Sequence, residues 1–61
     1  MNETVMQQMA TVIRGWRHHE ELSIREAATM IGIDRNALTR IESGEGISGV
    51  TLTRLLTWLF G

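Results

Sequence analysis

The chain has no cysteine, no proline and no tyrosine, and a single phenylalanine, in 61 residues. Without cysteine there is no disulfide and no thiolate metal site, a usage compatible with a reducing compartment. A chain of this length lies near the lower limit for folding unaided. Small domains rely on disulfides, a metal or very regular helix packing, so regular packing is the expected route, with or without self-association. Strong charge of one sign is also missing, since the formal net charge is −1; bulk charge alone gives no reason to expect a nucleic-acid partner. Lysine is absent, and all six side chains counted as Lys or Arg are arginine. Arginine is the better fork for base edges and phosphates. No apolar run approaches membrane-spanning length, and the first residues do not read as a charged-then-apolar leader. A cytoplasmic location with no membrane partner is therefore expected.

What remains is helical spacing. Val5, Met9, Val12, Ile13 and Trp16 form one apolar stripe, which predicts a first helix over about 3–19. Gly15 inside it costs roughly 1 kcal/mol relative to alanine and marks close packing, a helix end or a merely exposed position. Ser23-Ile-Arg-Glu26 has the S-x-x-E form of a capping box, with Ser23 as N-cap. Ile24, Ala27, Ala28 and Ile31 then give a short second helix. Gly32 is expected to end it, because the residue after a helix often needs the positive φ that glycine adopts without a Cβ clash. Asp34 suits the N-cap of a third helix with Ala37, Leu38 and Ile41 inward. Ser43-Gly-Glu-Gly46 reads as a loop, and Ser48 can cap a fourth helix carrying Leu52, Leu55, Leu56 and Leu59. No repeat or low-complexity linker divides the chain, so residues 1–61 read as one all-α domain.

Two short helices joined by a tight glycine turn form a helix-turn-helix. Ala28 falls where the third helix must cross the second, Gly32 makes the corner, and Ile33 and Leu38 plug the angle from inside. With these residues in place, segment 23–42, "SIREAATMIGIDRNALTRIE", resembles the helix-turn-helix of the lambda repressor/Cro family, the Xre-type regulators. The likeness extends over about 12–59. Arg17 falls where the family keeps an arginine in its first helix. "RIESG" matches the close of its recognition helix, and "ISGVTLTRLLTWL" is similar to its fourth. The resemblance implies a small four- or five-helix bundle and an Arg17–Glu42 pair between the first and third helices. It also implies a regulator that binds double-stranded DNA through residues 34–42.

In such a motif the second helix lies in the major groove with its N-terminal residues at base edges. Arg35 can bond bidentately to guanine and Asn36 to adenine, and Thr39 could touch a thymine methyl or a base acceptor. Arg25, Arg40 and, more weakly, Ser43 suit phosphates. The acids of the motif, Glu26, Asp34 and Glu42, each have an internal task, which would leave the three arginines to form a basic face. The family commonly has glutamine where Ile24 stands and a basic loop where Glu45 stands, and many relatives continue into a fifth helix beyond the position of Gly61. Relatives bind as dimers; Met6, Trp58 and Phe60 are candidates for a homodimer contact or for capping the core. Neither catalysis nor a cofactor nor a small-molecule substrate is indicated. Neighbouring His18 and His19 point about 100° apart on a helix and cannot clasp one ion. The competing reading is a protein-interaction module, such as an antirepressor, that keeps the shape without binding DNA.

Overall fold

The computed structural model describes residues 5–61. They form α1 (Val5–His19), α2 (Ile24–Ile31), α3 (Arg35–Glu42) and α4 (Gly49–Phe60), with no strand and no fifth helix among the described residues. The expected start of the first helix near residue 3 lies outside them. Local chemistry fixes the boundaries of the central helices. The Glu26 N–H donates to Ser23 Oγ at 3.0 Å and the Ser23 N–H donates to the Glu26 carboxylate at 2.9 Å, closing the capping box. Gly32 ends α2 at φ 87°. The N–H groups of Gly32 and Ile33 both turn back to the Ala28 carbonyl, at 2.9 and 3.0 Å. Asp34 caps α3 by accepting from the Asn36 N–H at 3.2 Å, and Ser48 caps α4 by accepting from the Thr51 N–H at 3.2 Å.

The bonds from Ser23, its backbone N–H first and its hydroxyl next, hold the Glu26 carboxyl below its ordinary value. A depressed folded pKa contributes stability above the unfolded value, about 4.3 for glutamate, and that contribution is lost as pH falls through the folded value. Glu26→Gln keeps a capping side chain but removes the titration. The variant is therefore expected to be less stable than the parent at neutral pH and to lose less stability on acidification. Melting temperatures between neutral pH and about pH 3 check this; parallel curves would rule it out.

α1 ends in the same left-handed geometry as α2, but on Glu21, at φ 56°. The Leu22 N–H reaches the Arg17 carbonyl at 3.0 Å and the Glu21 N–H reaches the His18 carbonyl at 3.1 Å. This is the paired closing pattern that glycine usually serves. A side chain there costs on the order of 1 kcal/mol. Glu21→Gly is expected to recover about that much, seen as a higher urea midpoint with an unchanged slope.

The core comprises Ile13 from α1, Ala27, Ala28 and Ile31 from α2, Ile33 from the turn, Leu38 and Ile41 from α3, and Leu55 from α4. α3 packs chiefly on α1 and α2, and α4 touches α2 more lightly. Ala28 is buried at the crossing, and Ile33 and Leu38 fill the angle. Trp16 and Trp58 meet edge to face with ring centroids 4.8 Å apart, closing the seam between α1 and α4.

The α1 stripe differs in part from its expected orientation. Ala10 and Ile13 are buried, whereas Val5 and Val12 are not; Val12 is 68 % exposed. Met9, Ile13 and Trp16 of the stripe do pack on the core; Ala10, Ile13 and Arg17 lie on the side of α1 that meets α3, while Val5 and Val12 lie on its open flank. Gly15 lies inside α1 and is exposed, and a Cβ placed there would meet nothing within 4 Å. Close packing does not explain it.

Candidate nucleic-acid interface

α3 divides cleanly around its axis. Leu38, Ile41 and Glu42 are buried and Ala37 is half-buried, while Arg35, Asn36, Thr39 and Arg40 are exposed. Helical spacing puts those four on one continuous outer face. Arg35, Asn36 and Thr39 line an open groove whose other wall is the start of α2, with Ser23, Ile24 and Arg25. Arg40 faces a separate, smaller concavity with Gly46, Ile47, Ser48 and Thr51. Ser43 closes α3 and lies beside Gln7, Thr11 and Arg14, away from the groove. Of the six residues predicted to contact DNA, the structure brings Arg25, Arg35, Asn36 and Thr39 together and leaves Arg40 and Ser43 at its margins.

Two hydroxyl protons are already committed. Thr39 Oγ1 donates to the Arg35 carbonyl at 2.9 Å, and Ser43 Oγ donates to the Thr39 carbonyl at 2.9 Å. The arginines differ in this respect. The side chains of Arg25, Arg35 and Arg40 have no hydrogen-bond or ion-pair partner among the described residues. The acids do: Glu26 and Asp34 serve caps, and Glu42 is engaged by α1. A chain of net charge −1 thus presents three unpaired guanidinium groups around α3, because the acids of the motif itself, Glu26, Asp34 and Glu42, cap helices or face inward. Glu45, in the loop after α3, stays exposed.

The seat of α3 is built from two arginines. Arg17 donates from Nε to Glu42 Oε2 at 2.7 Å and from Nη2 to Oε1 at 2.9 Å, a parallel fork. A further bond from Nη1 to the Leu22 carbonyl, 3.1 Å, fixes the guanidinium at the α1 end as well. The Glu42 bond is the main cause of a guanidinium pKa above its ordinary value, with Coulomb attraction assisting and burial opposing. It stays charged throughout the physiological range. Arg14, three residues earlier on the same side of α1, donates to the Glu42 backbone carbonyl. Sequence reasoning missed Arg14, although its i, i+3 relation to Arg17 put both on one face. It also missed Arg54, whose Nη1 reaches the Gly32 carbonyl from α4 at 3.3 Å.

A helix-turn-helix family model matches residues 13–57, well over half of the chain. The chain belongs to the lambda repressor/Cro-like, Xre-type helix-turn-helix family. Neither a curated protein nor a solved structure matches it. Members of this helix-turn-helix family are DNA-binding transcription regulators rather than enzymes. The all-helical architecture, the αL corner at Gly32 and the Arg17–Glu42 fork are the features expected of the Xre type, all present here. No helix among the described residues is long and apolar enough to cross a membrane. His18 and His19 lie exposed at the end of α1.

Proposed function

We propose that residues 1–61 form a single cytoplasmic domain that regulates transcription as a repressor-type protein, binding a specific double-stranded DNA operator with α3 in the major groove. The supporting observation is the two-sided α3: its inner side is sealed by Leu38, Ile41 and Glu42, and its outer side offers Arg35, Asn36 and Thr39, with no partner among the described residues for the side chains of Arg35 and Asn36. Arg35 reads guanine O6 and N7, and Asn36 reads adenine N6 and N7. Arg25 from α2 and Arg40 from the far end of α3 take phosphates, with Ser43 a weaker contributor because its hydroxyl proton is engaged.

Two phosphates per copy is few, so one copy binds weakly and a two-fold pair on half-sites about 10 bp apart is the working form. The surface for that pair is α4. Leu56, Leu59 and Phe60 are exposed, Phe60 to 84 %, and with half-buried Leu52 they share one side of the helix. Trp58 is occupied against Trp16 and Met6 is half-buried, which leaves Phe60 as the strongest of the three residues first considered. The same apolar side, together with exposed Glu45, also favours a second reading as a module that docks a protein partner.

Polarisation against a random duplex at low salt separates the two readings. On the DNA reading, log affinity falls against log salt with a slope of about −2 for one copy and about −4 for a pair. Arg35→Ala then costs roughly 1–3 kcal/mol and relaxes preference at one base pair. A slope near zero would leave the protein-docking reading standing. Sedimentation that stays strictly monomeric at high concentration would remove the pair.

A further inference from the structure

We infer that the groove between the start of α2 and the outer side of α3 carries a subsite for the 5-methyl group of a pyrimidine, formed by Ile24 and the methyl of Thr39. This rests on the DNA reading above and says which chemical feature the operator must display.

Of the six residues lining the groove, Ser23, Ile24, Arg25, Arg35, Asn36 and Thr39, only Ile24 is apolar. It is half-buried and packs on the core from the outside, so its position is fixed by Ile24's own seat in the fold. Thr39 stands across the groove. Its hydroxyl proton goes to the Arg35 carbonyl at 2.9 Å, and a β-branched side chain held that way in a helix has little freedom at χ1. What it retains for a base edge is its methyl group and acceptor lone pairs. The groove lining thus joins one apolar side chain, Ile24, and the Thr39 methyl to two polar readers, Arg35 and Asn36. The major groove offers a single apolar substituent, the C5 methyl of thymine; 5-methylcytosine carries the same group at the same place. A glutamine in place of Ile24 would give the groove a polar floor.

The test uses the whole chain and the duplex it recovers from a random pool. Each thymine is replaced in turn by uracil, which removes only the methyl. Burying one such group corresponds to about fourfold in affinity, so one position per half-site is expected to lose about fourfold and the others little. A second series places cytosine or 5-methylcytosine opposite guanine at that position. The methylated base should bind about fourfold tighter than cytosine, and whichever of the thymine and 5-methylcytosine duplexes binds tighter is the natural source of the methyl. Thr39→Ser keeps the hydroxyl and loses the methyl; it and Ile24→Ala should each shrink the uracil penalty, whereas Thr39→Val should retain it. Thr39 is exposed, so its serine variant keeps the test open even where Ile24→Ala does not fold. Tolerance of uracil at every thymine, or an undiminished penalty in Thr39→Ser, overturns the subsite while DNA binding stands. Failure to bind any duplex overturns the DNA reading and the subsite together.

Discussion

Leu38→Ala is expected to lower the unfolding free energy by about 2–5 kcal/mol, the range for emptying a fully buried leucine site. Leu38 has no exposed surface and lies where α2, the Gly32 turn and α3 meet. A chain this short has a total stability of only about 3–9 kcal/mol, so one substitution removes much of it. Two of the core neighbours on α2, Ala27 and Ala28, have side chains too short to fill the space. Urea unfolding followed by circular dichroism measures the loss. A change below about 1 kcal/mol would mean that α3 resettles on α2, and that the corner is softer than its packing implies.

The second large effect is expected at the Arg17–Glu42 pair. Its side chains are 15 % and 9 % exposed. Removing one member of a buried pair typically costs 3–5 kcal/mol, while exposed pairs are worth about 0–1. Arg17 keeps some contact with water and a second bond to the Leu22 carbonyl, so Glu42→Ala is placed between the two ranges, at about 2–3 kcal/mol. Much of that is the cost of stranding the guanidinium. The double variant Arg17→Met/Glu42→Leu should consequently regain most of the loss, since well-packed apolar replacements of buried pairs are often neutral or better. A double-mutant cycle in which the two single changes simply add would show no coupling between them.

The parts of this fold legible in the sequence are those that short-range chemistry dictates. Ser23 with Glu26, Gly32, Asp34 and Ser48 each act on backbone groups one to four residues away, and all serve the ends they were expected to serve. The Arg17–Glu42 fork spans 25 residues of sequence; it was accessible through family resemblance, not through spacing. Contacts that leave no signature in residue type were illegible. Arg14 meets a backbone carbonyl, a group every position possesses, and Arg54 does likewise at Gly32. Apolar periodicity gave α1 its helix and placed Met9, Ile13 and Trp16 on the core, but it could not tell that Val5 and Val12 at the edge of the stripe stay exposed. Glu21 shows the converse limit: a left-handed cap was met there without the glycine that would have announced it. For the site, pattern reasoning found the outward residues of α3 but not the contribution of Ile24, which depends on how α2 lies across it.

The grip of Arg14 and Arg17 is concentrated on the last residue of α3, while Arg35 sits at its first. Seven residues of helix separate them, about 10 Å. With Glu42 as the pivot, a tilt of about 5° there displaces the Arg35 end by about 1 Å over that length. On the proposed DNA reading, weakening this contact is therefore expected to blur base discrimination before it abolishes folding, through a residue whose side chain is turned away from the groove.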